Sequence, residues 1–426
     1  MTAPHVLVIG AGVIGLLNAY ALARRGARVT VVDARSAAAE GCSHANAGVI
    51  AVGHAKAWAA PAAIGSIWRG LGGREPGLCI SKLSDPALWR WGLHFLTQCT
   101  PAAHRANSAK LQRLARYSRE LMRGIDAEPG LQETMRHEGG LYLFRDEAQF
   151  ADHTKALGAA ADSAQPQISV LDNSALLARE PALRNMPGKL AGGLFSTADS
   201  VGDCYGFCTA MAAYLQTNPD VNFLFGRAID GFDRSGGRVS AVRSDGATIA
   251  ADAFVLATGT QTPQLTRSLG FSPLIYPVKG YSGTWPIRDP ARLPRLPFID
   301  ESALLSVAVY DTRLRVTALA EFAGQDDLSM RPERLDLLRD YVAANFGDAV
   351  DTASATFWTG QRPTTPAGPP FLGRIKRFDN LWINAGHGQL GWTMAAGSGE
   401  LLAAAMYDEE PALRAVSSAA GWLDRI

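Results

Sequence analysis

His5-Val6-Leu7-Val8-Ile9-Gly10-Ala11-Gly12-Val13-Ile14-Gly15 joins a short β-branched run to three glycines spaced GxGxxG. A continuous run of this kind is the signature of a parallel strand buried on both faces. Gly10 allows a tight turn, Gly12 lets the backbone approach a pyrophosphate, and Gly15 allows close helix–strand packing. Ile14 lies in the same turn, where the start of a helix offers free N–H groups to anionic phosphate. Residues 16 to 25 carry helix formers, Gly26 ends that helix, and Arg28 to Val32 form a second β-branched run closing with Asp33. A complete βαβ unit results. A carboxylate at Asp33 accepts hydrogen bonds from a ribose 2′-OH and disfavours a 2′-phosphate, which leaves FAD and NAD ahead of NADP.

Working outward, the chain has 426 residues, 47% hydrophobic and 19% charged, which predicts a well-packed protein of two domains. Lys+Arg 41 against Asp+Glu 40 leaves a net charge of +1, with no global field to draw nucleic acid or an anionic membrane. Five scattered cysteines (Cys42, Cys79, Cys99, Cys204, Cys208) do not form a disulfide framework, and they suit a reducing compartment, the cytoplasm. Met1-Thr2-Ala3-Pro4 runs straight into the first strand, leaving no room for a cleavable leader. No apolar stretch approaches the ~20 residues that cross a bilayer, although a small apolar patch is compatible with peripheral contact on the inner face of the cell membrane.

Further along, aromatic and basic residues at helical spacing from about 85 to 135 predict a helical insertion that covers something. Strands are predicted at 139–144 and near 193–195, with helices at 146–161 and 203–217. The runs 222–225, 228–233, 238–243 and 247–250 read as a strand and a β-meander, returning to a buried strand that ends at Gly259. Residues 275–286, 303–309 and 313–321 are strand-like, and 332–345 helical. Leu381 to Asn384 is a short strand, followed by a glycine loop and a small-residue helix over 392–406. The chain thus returns at its end to the style of its beginning, so the domains are intertwined. The dinucleotide-binding domain is expected over 1–53, 172–275 and 357–426, and a substrate-binding cap over 54–171 and 276–356.

The later segments select FAD over NAD. Gly41-Cys42-Ser43-His44-Ala45-Asn46-Ala47-Gly48 is a small-residue loop suited to a pyrophosphate and a flavin edge. Gly386-His387-Gly388-Gln389-Leu390-Gly391-Trp392-Thr393-Met394 puts a polar glycine loop before a helix. A helix N-terminus aimed at the flavin pyrimidine ring stabilises the negative charge that gathers there on reduction.

These segments, together with Trp58-Ala59-Ala60-Pro61, Gly202-Asp203-Cys204, Val278-Lys279-Gly280-Tyr281-Ser282 and Phe357-Trp358-Thr359-Gly360-Gln361-Arg362-Pro363, give the chain its family likeness. It resembles the bacterial D-amino acid dehydrogenases, within the D-amino acid oxidase and glycine oxidase superfamily. The resemblance implies an α/β FAD-binding Rossmann-like domain of the glutathione-reductase type, interleaved with an antiparallel-sheet α+β substrate domain. It also implies oxidative deamination of a D-amino acid to a 2-oxo acid and ammonia by hydride transfer to flavin N5. Electrons then pass to a quinone or other chain acceptor. Other readings are a dehydrogenase or oxidase of a secondary or N-substituted amine, and a flavin-bearing subunit of a larger complex.

A zwitterionic substrate needs its carboxylate fixed, and the planar fork of arginine does this through two charge-assisted bonds. Arg362 matches the superfamily's carboxylate-binding arginine, and Tyr281 resembles a tyrosine that donates to the same carboxylate. Around residue 54 relatives tend to carry tyrosine and apolar residues, so His54 and Lys56 are expected to adjust the side-chain pocket towards polar or acidic groups. His44 lies one residue off the position at which some relatives tether flavin, so non-covalent FAD is expected. Cys204 and Cys208 lack partner ligands at metal spacing, and no metal site is expected.

Overall fold

The computed structural model describes residues 3–71, 77–132, 134–159 and 168–410. Residues 160–161 of the predicted helix and 411–426 of the expected dinucleotide-binding domain lie outside these.

The first glycine-rich unit forms as its sequence dictates. His5–Ile9 and Arg28–Val32 pair in parallel around the helix Val13–Ala23. This helix starts earlier than expected, at Gly12, and ends before Gly26, whose φ of +78° turns the chain into the second strand. Six strands make the sheet, in the order Val221–Leu224, Arg28–Val32, His5–Ile9, Ala253–Leu256, Leu381–Ala385 and Phe371–Arg374. The first five run parallel and the last antiparallel. Both faces are covered, which is why its strands are apolar throughout. On one side Val13–Ala23 and Gly391–Met406 cross so closely that a Cβ at Gly399 would lie 2.7 Å from the Leu17 carbonyl oxygen. On the other side the meander Gly231–Ser235, Arg238–Ser244 and Ala247–Ala250 contributes Phe232, Val239 and Val242 to a core with Leu7, Ile9, Phe254 and Leu256.

The second layer is a nine-stranded, mainly antiparallel sheet. Its path runs Thr356–Thr364, Tyr276–Pro286, Arg313–Phe322, Leu305–Tyr310, Phe298–Asp300, Gly140–Phe144, Gly192–Ser196, Ile168–Asp172, with Leu78–Ile80 pairing onto Arg313–Phe322. The helix Pro332–Phe346 packs against one face through Leu335, Leu338 and Val342.

Two expected domain boundaries are corrected by strand pairing. Gly192–Ser196 and Ile168–Asp172 pair with each other and, through Gly140–Phe144, with the second sheet; Thr356–Thr364 pairs with Tyr276–Pro286. Gly192–Ser196 was expected wholly, and Thr356–Thr364 largely, in the dinucleotide unit, but their strand ladders form with the other sheet, apart from a single bridge from Thr364 to His387; Ile168–Asp172 was expected in the cap save for Asp172. The helical insertion is two helices, Pro86–Gln98 and Pro101–Ile125, each capped by a side chain (Asp85, Thr100) and each opening on proline. The second is no cap on the substrate: Leu111, Leu114, Ala115 and Met122 pack into the dinucleotide-side core.

Gly15 carries the tightest steric demand in the first unit, because a Cβ there would sit 1.7 Å from the Gly10 carbonyl oxygen. Gly15→Ala is expected to cost about 3 kcal/mol or more of stability, since backbone must move. Denaturant unfolding measures this; an unshifted midpoint would contradict the close packing of helix on strand.

Candidate active site

Between the two sheets lies a cavity of about 1730 Å³. At one end the glycine loop is held by its own backbone geometry. Gly10 has φ +109°, and a Cβ on it would meet the Ala257 carbonyl oxygen at 2.6 Å. Asp33 fixes the loop's exit: one carboxylate oxygen accepts the Ala11 N–H at 2.7 Å and the other the Arg35 N–H at 2.9 Å. Ser43 Oγ accepts the Val13 N–H at 3.1 Å, and Gly12, the helix N-cap, has no side-chain cap. Gly10, Gly12, Ile14, Asp33, Ser43, Asn46, Ala47 and Gly259 all line the cavity.

Three residues expected at the cofactor are not among those lining it. Gly15 acts through packing. Gly48 has φ +71° and lies against the Tyr310 ring, which a Cβ would meet at 2.8 Å. His44 turns to Tyr205, ring centroids 4.7 Å apart, with Nδ1 buried and unpartnered; burial, helped by Arg315, lowers its pKa.

At the other end Gly386 (φ +92°) and Gly388 (φ +55°) flank His387. His387 is buried, its Nε2 3.1 Å from Ser398 Oγ, and burial lowers its pKa to about 3. It stays neutral and shapes the loop. The helix Gly391–Met406 then starts at the cavity with no side-chain cap, and Thr393 Oγ1 accepts the Ala51 N–H at 3.1 Å. Gly386, His387, Gly388, Gly391, Trp392 and Thr393 all line the cavity, and the Trp392 indole N–H is buried without a partner.

The second sheet supplies the reacting face. Arg362 extends across the strand beside it because Gly280 has no side chain: a Cβ there would sit 2.4 Å from Arg362 Nη2. Its Nη1 donates to the Leu319 carbonyl at 2.7 Å. Leu319 has φ +71° and lies where the pairing of Tyr276–Pro286 with Arg313–Phe322 shifts register, so a bulge aims this carbonyl at the guanidinium. No carboxylate pairs with Arg362 among the described residues, and burial lowers its pKa.

Tyr281 is among the residues lining the cavity, but its hydroxyl is already engaged. Its hydroxyl donates to Glu321 Oε2 at 2.6 Å, and its ring belongs to the core with Trp285, Val316 and Leu338. The pleat explains this: Gly280 underlies Arg362 on the cavity side, so the next residue points to the opposite face. Lys279, Arg331 and Ser81 also converge on Glu321, at 3.2, 3.1 and 2.8 Å.

Of the two pocket residues, His54 lines the cavity and Lys56 does not. Lys56 is exposed beside a separate small cleft. His54 stacks on Tyr142 and places Nε2 3.2 Å from Glu301 Oε1. Glu301, Leu319 and Leu304 line the cavity without any sequence motif to announce them. Trp358, over Gly360, was visible in its aromatic-glycine segment without an assigned role.

This geometry defines a dinucleotide-binding α/β protein with a second sheet closing over the cofactor end. A family model described as FAD dependent oxidoreductase (DAO) matches residues 5–405, and the chain belongs to that family. It is 40% identical over 408 residues to a protein of Rhizorhabdus wittichii named D-amino acid dehydrogenase, covering 96% of this chain and 97% of that one. To a protein of the same name from Cereibacter sphaeroides it is 41% identical over 398 residues, 93% of this chain and 90% of that one. Among solved structures, glycine oxidase from Geobacillus kaustophilus has a TM-score of 0.72 at 20% identity, with 100% of both chains covered. L-proline dehydrogenase from P. horikoshii has 0.71 at 17%, with 99% of both covered. These two share the fold.

The residues present fit FAD: a helix start whose N-cap Gly12 brings no side chain, for the pyrophosphate, Asp33 at the ribose position, and a second helix start without a side-chain cap beside the Trp392 N–H, which has no partner among the described residues.

The burial of His387 has a pH signature. Unfolded, it takes a proton near pH 6.5; folded, only near 3. Between these values the unfolded chain holds more protons, so stability falls on acidification by up to about 1.4 kcal/mol per unit from this group. His387→Gln is expected to flatten the decline by that share in urea unfolding between pH 6 and pH 4. An unchanged slope would contradict it.

Proposed function

We propose that the chain oxidises D-amino acids to 2-oxo acids and ammonia using non-covalent FAD, with electrons passing to a quinone or other chain acceptor. The observation that carries this reading is Arg362, a half-buried cation without a carboxylate partner among the described residues, set on the cavity wall of an FAD-family fold. The names of the relatives support the D-amino acid as its partner.

The substrate carboxylate pairs with Arg362 through charge-assisted bonds, which replace the missing acid. Leu319 and Gly280 keep the guanidinium from following the substrate, so the Cα–H is presented in one orientation. Bound FAD supplies the acceptor for the hydride leaving Cα. The substrate ammonium gives one proton to solvent, the nitrogen lone pair forms a C=N bond as the hydride leaves Cα, and water hydrolyses the resulting iminium to the 2-oxo acid and ammonium. Positioning rather than a strong protein base does the work: His387 is held neutral and Tyr281 is engaged by Glu321.

Arg362→Met is expected to weaken D-amino acid binding about 100-fold in anaerobic stopped-flow reduction of the flavin. Arg362→Lys is expected to recover only part, because an ammonium lacks the two-pronged geometry. Near-normal reduction in Arg362→Met would remove the clamp.

A lipid-borne acceptor is supported by the cavity rim. Trp89 (55% exposed) and Leu93 (65%) both line the cavity and face solvent, and Trp68 is 71% exposed on the neighbouring helix Ala63–Leu71. That helix and Pro86–Gln98 contain Arg69 and Arg90 and no acidic residue, a composition suited to an anionic lipid surface. The protein is expected to cosediment with vesicles containing phosphatidylglycerol, and the triple variant Trp68→Ser, Trp89→Ser, Leu93→Ser to lose most of that binding. Equal pelleting of both, or none by the parent, would contradict the contact.

A further inference from the structure

Glu301 follows the strand Phe298–Asp300 on the cavity wall, its side chain only 12% exposed. Burial alone would neutralise it. The His54 hydrogen bond and charge, with smaller contributions from the charges of His153 and Lys56, outweigh that effect and lower its pKa, so a carboxylate stands there ionised. The dyad is braced from behind: Tyr142, under the His54 ring, donates its hydroxyl to buried Asp199, which also accepts the Gly53 N–H and the Ser196 hydroxyl, each at 2.8 Å. His54 engages Oε1 of this braced acid, and no contact to Oε2 stands among the described residues, so a further cation in the cavity would find an acceptor there.

The sheet register places this acid relative to Arg362. Thr317, Ser306 and Ile299 are neighbours across three adjacent strands and line the cavity. Two residues further in the same direction come Leu319, Leu304 and Glu301, which also line it. The Arg362 guanidinium is hydrogen-bonded to Leu319, at the first of these three positions. Neighbouring strands are about 4.8 Å apart, so the backbone position of Glu301, in the turn beyond its strand, lies about 10 Å from that of Leu319, whose carbonyl holds the clamp. Leu304 and Leu319 make its floor apolar.

We propose that Glu301, positioned by His54, is a specificity-determining residue that selects D-amino acids bearing a cation at the end of a long aliphatic side chain. The proposal rests on the amino acid oxidation argued above and names its substrate class. With the substrate carboxylate on Arg362, methylenes lie along Leu304 and Leu319 and the terminal cation reaches Glu301. A short side chain does not reach Glu301, a neutral chain of equal length covers it without adding a donor to the one from His54, and an acidic one meets like charge. The side-chain pocket expected from His54 and Lys56 to favour polar or acidic groups would on this proposal favour cationic ones, because His54 positions Glu301 on the wall.

The test compares kcat/KM for D-lysine and D-norleucine, which share chain length and differ in the terminal cation, in the FAD-loaded parent and in Glu301→Gln. The parent is expected to prefer D-lysine by about tenfold or more, and the variant to bring the ratio to about one. D-norleucine oxidised as well as D-lysine by the parent would overturn the subsite while leaving amino acid oxidation intact, and it needs no variant to fold. Equal proportional losses on both substrates in Glu301→Gln would also overturn it. Flavin reduction by no D-amino acid at all would overturn the underlying reading, and the subsite with it.

Discussion

A guanidinium lies over a missing side chain: Arg362 crosses Gly280 and is tied to the carbonyl of Leu319. Any residue larger than glycine at 280 would deflect it, and a regular ladder in place of the bulge would turn the Leu319 carbonyl away. The sheet therefore contributes backbone, rather than a carboxylate, to hold the cation. Its charge is left for a ligand, and in a buried setting an unmatched charge favours an anionic group of matching shape. The rest of the structure positions a cofactor against this one point.

The dinucleotide side works through the same economy of side chains. The N-cap residues Gly12 and Leu390 bring no capping side chain, and both face the cavity, so apart from the Val13 N–H taken by Ser43 the N–H groups and dipoles of these helix starts are available to anionic parts of FAD. Gly10, Gly386 and Gly388 take left-handed backbone where close approach demands it. Titratable groups nearby are held in one state: His387 is buried neutral, and Tyr281 is hydrogen-bonded to Glu321 inside a network with Lys279 and Arg331. That network braces the strands Tyr276–Pro286 and Arg313–Phe322 on the face opposite the cavity, which keeps the bulge and its carbonyl in place.

Much of the dinucleotide end was legible in the sequence, because its chemistry is local. A β-branched run, spaced glycines and Asp33 lie within one βαβ unit, and the C-terminal loop and helix carry their own glycines. Arg362 was legible for the same reason, as a cation in a short aromatic and glycine-rich strand. The engagement of the Tyr281 hydroxyl by Glu321 was not legible, because residue type does not reveal the face of a pleat, and the neighbouring bulge removes simple alternation as a guide. Domain limits failed where pairing is non-local: nothing within Gly192–Ser196 or Thr356–Thr364 names the sheet that completes its hydrogen bonds. Leu319 acts through its carbonyl, and Glu301 acquires meaning only when its strand lies two away from Leu319, so neither could be seen in advance.

The central claim is that this cavity holds FAD and takes hydride from a D-amino acid whose carboxylate lies on Arg362. Its most direct test is to mix the purified flavoprotein, without oxygen, with matched D- and L-enantiomers of a panel of amino acids and to follow the visible flavin band. The account predicts bleaching by D-enantiomers alone, with one 2-oxo acid and one ammonia formed for each flavin reduced. A flavin that persists unbleached with every D-amino acid, or bleaches equally with both enantiomers, would contradict it.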